Sequence, residues 1–265
     1  MHAPLGRRVD ASAYGQYIGR WSRLFVPALL AAAEVRGGDR VLDVATGTGE
    51  AAQLALSQVG DGGLVVGADI SAAMLDEACL RLSSARFLPV VADGQALVFP
   101  DATFDAVLCQ LGLMFFPDPA RGLAEFRRVL RPGRRAAVCV ISSAERAPMW
   151  GILAATLSGY LPAQRKALHL SFSLADPAEL ERLIGAAGLR AVRVTRETQQ
   201  CVVGSFDEYW APIEAGTGQM PQAYLALPEP SRRAVREAVR ARLAPFESDG
   251  RLVLSLEMLI GSGQA

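Results

Sequence analysis

Between about Arg40 and Ser142, short runs of apolar, largely β-branched residues alternate with stretches whose apolar positions recur every three or four residues. That alternation predicts βαβ units around a mostly parallel sheet, an α/β fold. "RVLDVAT" reads as the first strand and Thr48 to Val59 as the helix after it. "GLVVGAD" is a second strand ending in Asp69. Ser71 then stands where its hydroxyl takes up a first-turn amide of the helix "AAMLDEACLRL". "ARFLPVVAD", "TFDAVLCQL" and "RRAAVCVIS" supply three more strands. Between the last two, "DPARGLAEFRRVL" is amphipathic, with Leu123, Phe126 and Leu130 spaced to face a sheet, and "RPG" stops it.

Beyond Ser142 the pattern loosens. "DPAELERLIGAAG" (Asp176 to Gly188) has an Asp-Pro start and a glycine stop. "LRAVRVTRETQQCVV" alternates as an edge strand does, with "RLVLSLEMLIG" its expected antiparallel partner. Residues 145–175 and 205–249 interrupt this scaffold and carry Trp150, Tyr160, Phe172, Tyr209, Trp210 and Tyr224. They are expected to form a helical cap over the carboxyl edge of the sheet. The chain then reads as a single domain over 1–265: an N-terminal helical segment (1–39), a core (40–142) and the two cap insertions.

Composition narrows the partners. Lys plus Arg and Asp plus Glu number 27 each, so no net field draws the chain to nucleic acid or anionic lipid. Small, nearly neutral molecules are the expected partners, with the chain a monomer or homodimer. No apolar run approaches the ~20 residues of a membrane span, and "MHAPLGRRVD" lacks a signal-peptide core, so a cytoplasmic location is expected. The four cysteines are scattered without a C-x-x-C pair, and no metal site is expected; Cys109 and Cys139 sit in strand-like runs as small core residues.

The segment "VLDVATGTGEAA" (Val41 to Ala52) carries the candidate chemistry. Gly47, Gly49 and Ala52 fit the G-x-G-x-x-G/A turn that opens a dinucleotide-binding helix, and Asp69 stands twenty residues beyond Gly49, where a carboxylate receives a ribose. That spacing serves NAD and other adenosine cofactors alike. Asp43 discriminates. A carboxylate four residues before the first glycine opposes a pyrophosphate but attracts the ammonium of S-adenosylmethionine, directly or through water. The amides at the helix start then meet that ligand's carboxylate. Asp93, with Gly94 allowing close approach, is placed to accept from the adenine amino group. The bland alternative makes Gly47 and Gly49 a tight turn and Asp43 a cap for a neighbouring loop.

"VLDVATGTGE", "GADIS..ML", "ADGQALVFPDATFDAVLCQLGLMFFPDP" and "FRRVLRPGRR", in that order, strongly resemble the class I S-adenosylmethionine-dependent methyltransferases. Among these the chain is most like the small-molecule enzymes of ubiquinone/menaquinone biosynthesis. The resemblance is dense from Arg40 to about Ser142 and extends through "ERAPMW" and "FDEYW". It implies a Rossmann-like, seven-stranded sheet with an antiparallel last strand. It also implies that Asp43, Gly47, Thr48 and Gly49 hold the methionine end, Asp69 the ribose, Ile70 the adenine face, and Asp93 and Gly94 the adenine edge. Gln110 would lie beside the methionine portion, and Ala45, Thr46, Met74, Gln95 and Leu111 complete the implied seat. "RPGRR" departs from the commoner "RPGG" in a loop not expected to touch the cofactor.

Methyl transfer from a sulfonium is an in-line displacement, so alignment and a dry pocket matter more than a protein nucleophile. Candidate bases are few. His2 lies in a tail, and His169 reads either as a surface histidine or as a base reaching substrate. Tyr14, Tyr17 and Trp21 fall on an N-terminal helix; Tyr17 and Arg20 are candidates to contact cofactor or substrate, the alternative being a helix that merely covers the sheet. "CQLG" replaces the [D/N]-P-P-[Y/F] of exocyclic-amine methylation, and the cysteines lack the clustering of arsenite methylation. A small, fairly apolar acceptor methylated on O, N or C, in quinone or secondary metabolism, is the expectation. An NAD-dependent oxidoreductase must explain Asp43 and lacks a Tyr-x-x-x-Lys pair, since Pro162 precedes the one lysine, Lys166. A non-catalytic S-adenosylmethionine-binding protein is the remaining alternative.

Overall fold

A computed structural model describes residues 18–216 and 218–265. Helical turns at Arg20–Ser22 and Arg23–Phe25 lead into α1 (Val26–Ala32). Five parallel strands follow: β1 (Arg40–Val44), β2 (Leu64–Asp69), β3 (Phe87–Val91), β4 (Phe104–Gln110) and β5 (Leu130–Ile141). α2 (Glu50–Val59), α3 (Ala72–Leu82) and α4 (Pro119–Val129) connect them. The sheet order is β3-β2-β1-β4-β5-β8-β6, so the direction of winding reverses between β1 and β4. In open α/β sheets that reversal leaves a crevice beyond the carboxyl ends of the strands.

Local sequence accounts for these elements. Val41, Leu42 and Val44 are buried, as central parallel strands require. α2 turns Ala51, Ala52, Ala55, Leu56 and Val59 inward, a small-residue face that lets it lie close to the sheet. It begins at Glu50, two residues later than its pattern indicates, because Gly49 adopts a left-handed φ of 88°. Ser71 and Asp118 cap α3 and α4 through side-chain oxygens. α4 stops at Val129, and Arg131–Gly133 run extended within β5 rather than forming a stop loop.

All seven long strands expected are present; an eighth, the two-residue β7 (Glu247–Ser248), pairs with β8 (Arg251–Gln264). β8 runs antiparallel to β5 over Met258–Gln264, and to the edge strand β6 (Arg190–Val203) up to Leu252. Residues Leu252–Glu257 therefore project past the end of β5. The sequence marks this division. Burial alternates through "RLVLSL", where one face meets helices, and becomes continuous through "EMLIGSG", where strands flank both sides.

The projecting hairpin carries the two insertions. The first contains α5 (Pro148–Tyr160), apolar on nearly all sides and buried, followed by short turns to Phe172. α6 (Pro177–Ala186) leads back to β6. The second holds α7 (Phe206–Glu214), α8 (Gln219–Leu225) and α9 (Glu229–Leu243). α9 packs on α5, and α8 packs on α5 and α7. Tyr209, Trp210 and Tyr224 are buried within this layer, so these aromatics build the cap itself. Among the described residues, no helix is long and apolar enough to cross a membrane.

Leu254, fully buried on the projecting half of β8, supplies a test of the hairpin as the cap's support. Leu254→Ala leaves a cavity there and should lower the denaturant midpoint by an amount equivalent to about 2–5 kcal/mol. An unchanged midpoint would show that the cap does not rest on this strand.

Candidate functional site

The turn after β1 is built around a buried acid. Asp43 is 1% exposed, and its Oδ2 accepts the Thr46 hydroxyl at 2.7 Å. Its Oδ1 is buried with no hydrogen-bond partner among the described residues. Burial pushes this carboxyl up to about 7, against the bonds from Thr46 and the Ala52 amide; Glu50 and Asp69 add a smaller upward push. Gly47 and Gly49, both at positive φ, carry the chain over this acid into α2. Thr48 does not face outward: it is fully buried, donates to Glu50 and accepts from Arg81 through its carbonyl. Glu50 is paired with Arg81 at 2.5 Å.

Asp69 ties the second strand to the first turn. Its Oδ2 accepts from the Gly47 amide and its Oδ1 from the Ser71 amide, each at 2.9 Å. Burial nevertheless raises its pKa. Each oxygen keeps a lone pair, so the half-buried carboxylate remains able to accept from a hydroxyl. Ile70 beside it is 69% exposed, an apolar face at the carboxyl end of β2, and Met74 is half-buried on α3.

The third acid stands apart from this pair. Asp93 is exposed and accepts from the backbone and side chain of Gln95, whose Oε1 in turn accepts the Asp118 amide. Gly94 is buried, and a Cβ there would overlap Phe116 and Val44. Its small size thus admits a packing neighbour, where the sequence had been read as admitting a ligand.

Gln110 ends β4 on the same sheet face as Asp43, by the pairing of Asp43 with Leu108. Its Nε2 donates to the Ser22 carbonyl at 2.6 Å, and its Oε1 is buried and unpartnered. Ala45 (φ 55°) and Leu111 (φ 53°) follow β1 and β4 in the left-handed region that non-glycine residues seldom occupy. Strain of this kind persists where the surroundings dictate it, and it gathers at functional sites. Composition gives no signal for either residue.

The remaining candidates are placed elsewhere. Tyr17, Tyr14 and His2 lie outside the described residues. Arg20 donates to Glu208 on α7 at 2.6 Å and sits over the Trp21 ring, so it joins the N-terminal segment to the cap. His169 is half-buried, with Nε2 3.1 Å from the Ser158 hydroxyl. Arg131 and Arg134 of "RPGRR" are paired with Asp105, and Arg134 also with Asp39, at the opposite edge of the sheet. Arg127 and Arg128, just before them, occupy the last turn of α4, where cations complement the helix dipole.

Beyond β4 and β5 lies an apolar cavity of about 100 Å³ between sheet and cap. Ile18, Leu111, Met114, Ile141, Trp150 and Leu153 are among its walls. The sequence displayed "LGLMFF" without indicating that Met114 and Phe115 line a pocket. Among the described residues, no acid, histidine, lysine, cysteine or tyrosine lines it. The only signal that could have found it was the apolar run itself.

Residues 42–138 match the family model described as a methyltransferase domain. With the fold and the turn, this match makes residues 42–138 similar to a class I S-adenosylmethionine-dependent methyltransferase domain. The two orphaned acceptors, Asp43 Oδ1 and Gln110 Oε1, fit the ammonium of that cofactor, and the exposed Ile70 fits its adenine. The chain is similar to the ubiquinone/menaquinone biosynthesis C-methyltransferase UbiE of Xanthomonas campestris, 43% identical over 126 residues, or 46% of this chain and 48% of that one. It spans about half the length of the curated relatives it matches. Among solved structures, a methyltransferase of Bacillus halodurans gives a TM-score of 0.59 at 20% identity, covering 90% of this chain and 97% of that one. A phosphoethanolamine N-methyltransferase of Haemonchus contortus, solved with S-adenosylhomocysteine, gives 0.59 at 17% identity, covering 96% and 56%. At these identities the two structures bear on the fold.

The raised pKa of Asp43 has a signed consequence. The folded chain holds this proton up to pH about 7, whereas an unfolded one releases it near 3.8. Stability from this group is therefore full below pH 4 and lost as pH rises toward 7. Without ligand, Asp43→Asn should be more stable than wild type at pH 8, by order 1–4 kcal/mol. The wild type should bind S-adenosylmethionine more tightly above pH 7 than below it, and the variant should lose that dependence. Equal stability of the two proteins at pH 8, read by thermal unfolding, would contradict the assignment.

Proposed function

We propose that this protein transfers a methyl group from S-adenosylmethionine to a small, largely apolar acceptor held in the cavity beneath the cap. The observation that carries this reading is the position of that cavity. It opens beside Leu111, which directly follows Gln110, so one strand end serves both the donor seat and the acceptor wall. The cofactor supplies an electrophilic methyl on a sulfonium. In-line displacement would carry that methyl to the acceptor's electron pair and leave the sulfur as a neutral thioether.

The chain's own residues hold and orient. Asp43 and Gln110 accept from the donor's ammonium, Asp69 accepts from its ribose, and Ile70 packs on its adenine. Asp93 and Gln95 lie at the adenine edge, with Gly94 admitting Phe116 behind them. Among the described residues, the cavity walls offer no general base. Suitable acceptors are consequently nucleophilic as they enter, or lose their proton to solvent first. His169 is held by Ser158 outside the cavity wall. Orientation in such a dry site can contribute of order 7–11 kcal/mol to the rate.

Carbon methylation in quinone metabolism has support from the Xanthomonas relative, a C-methyltransferase of ubiquinone/menaquinone biosynthesis. The matched family segment ends at residue 138, before the cap, so oxygen and nitrogen acceptors belong in the same test. A cytosolic setting agrees with four unpaired thiols.

Titration calorimetry should show binding of S-adenosylmethionine and none of NAD. Labelled methyl should then pass from cofactor to a component of a small-molecule extract. Binding of NAD in place of the sulfonium would replace this reading with a dehydrogenase. Cofactor binding without transfer to any fraction would leave a ligand-binding protein instead.

A further inference from the structure

Trp150 is the third residue of α5, and with Leu153 one turn on it faces the cavity. The residue is 3% exposed, and its indole Nε1 is buried with no hydrogen-bond partner among the described residues. The neighbouring buried aromatics of the cap are all satisfied. Trp210 Nε1 donates to Glu214 at 2.7 Å, Tyr224 donates to the same carboxylate at 2.7 Å, and Tyr209 donates to the Met149 carbonyl at 2.8 Å. A buried donor without an acceptor is costly, and native structures hold few of them. The side chain that carries this donor lines an otherwise apolar cavity, where a bound molecule would be the nearest source of an acceptor atom.

We propose that Trp150 is a specificity residue, whose indole N–H donates to a carbonyl or phenolic oxygen on the otherwise apolar acceptor. This rests on the methyl-transfer reading for the role of the ligand, while the binding preference itself does not depend on that chemistry. The side chain donates only, so it cannot take a proton from the acceptor and acts by holding it. Ser171 and Gln219 are the other polar side chains of the wall, and both are partly exposed. Trp150 is thus the buried donor of the pocket among the described residues. The cavity of about 100 Å³ is smaller than the ~150 Å³ that admits benzene, so a single ring is the largest group it could take, and only with some opening of the wall. A ring fixed by its oxygen at Trp150 presents its other atoms toward Leu111 and the donor seat.

The test uses the full chain with S-adenosylhomocysteine present. Acetophenone and α-methylstyrene have nearly the same shape and differ in one carbonyl oxygen. By calorimetry, the wild type should prefer acetophenone by roughly tenfold. Trp150→Phe keeps most of the ring and removes the donor. It should abolish that preference, with α-methylstyrene affinity and cofactor affinity within about twofold of wild type. A second measurement needs no variant: the Trp150 indole N–H resonance should move downfield with acetophenone and stay in place with α-methylstyrene. Equal binding of the two probes by the wild type, binding of neither, or a preference that survives in Trp150→Phe would overturn the proposal. Methyl transfer could then still proceed. Failure to bind S-adenosylmethionine would instead defeat the methyl-transfer reading and leave the probe preference standing.

Discussion

A carboxylate sealed beneath the first strand–helix turn governs how the donor half of this molecule is assembled. Asp43 has one oxygen on Thr46 and the other unpaired, in surroundings that oppose its charge. Burial opposes its anion, and the Thr46 hydroxyl answers only part of that cost. The turn above it is nevertheless fixed from several directions, through Asp69 on the Gly47 amide and through Glu50 and Arg81 on Thr48. The site is held in shape by groups other than the one that would meet the donor's charge. Pre-organisation of this kind reduces the ordering that binding must impose.

The cap obeys a different logic. Its interior is aromatic and well partnered, and it stands on a hairpin that has outrun the rest of the sheet. The first strand–helix turn and the apolar cavity therefore rest on separate supports, and Leu111, strained at the end of β4, lines the latter. Arg20 on Glu208 is the exposed link that joins the N-terminal segment to the cap. Exposed pairs of this kind contribute little to stability.

Most of the scaffold was legible because parallel strands buried on both faces leave unmistakable apolar runs. The caps at Ser71, Asp118 and Asp176 follow local rules that need no tertiary context. The functions of individual polar residues were less legible. Asp43 reads as a strand acid placed to attract an ammonium or to cap a loop, and only the fold reveals that it is buried and half satisfied. Thr48 and Gly94 occupy the expected motif positions but face protein, since sequence spacing gives position along the chain and not direction. Arg20 was drawn away by an acid 188 positions distant, a pairing no periodicity encodes. The aromatics of the insertions announced a cap but not which of them would be left without a partner.

The hairpin also bears on how the chain comes together. β8 lies between β5 and β6 although it follows both, pairing Arg135 with Gln264 across about half of the chain's length. The parallel strands of the donor half can associate while β5 still presents an open edge. The cap, whose helices rest on Leu252, Leu254 and Leu256, has nothing to settle on until that last strand slots into place. Contacts so remote in sequence form slowly, because the loop must be closed before they contribute. During synthesis, then, a nascent chain would acquire the means to hold a nucleoside well before it had any chamber in which to use it.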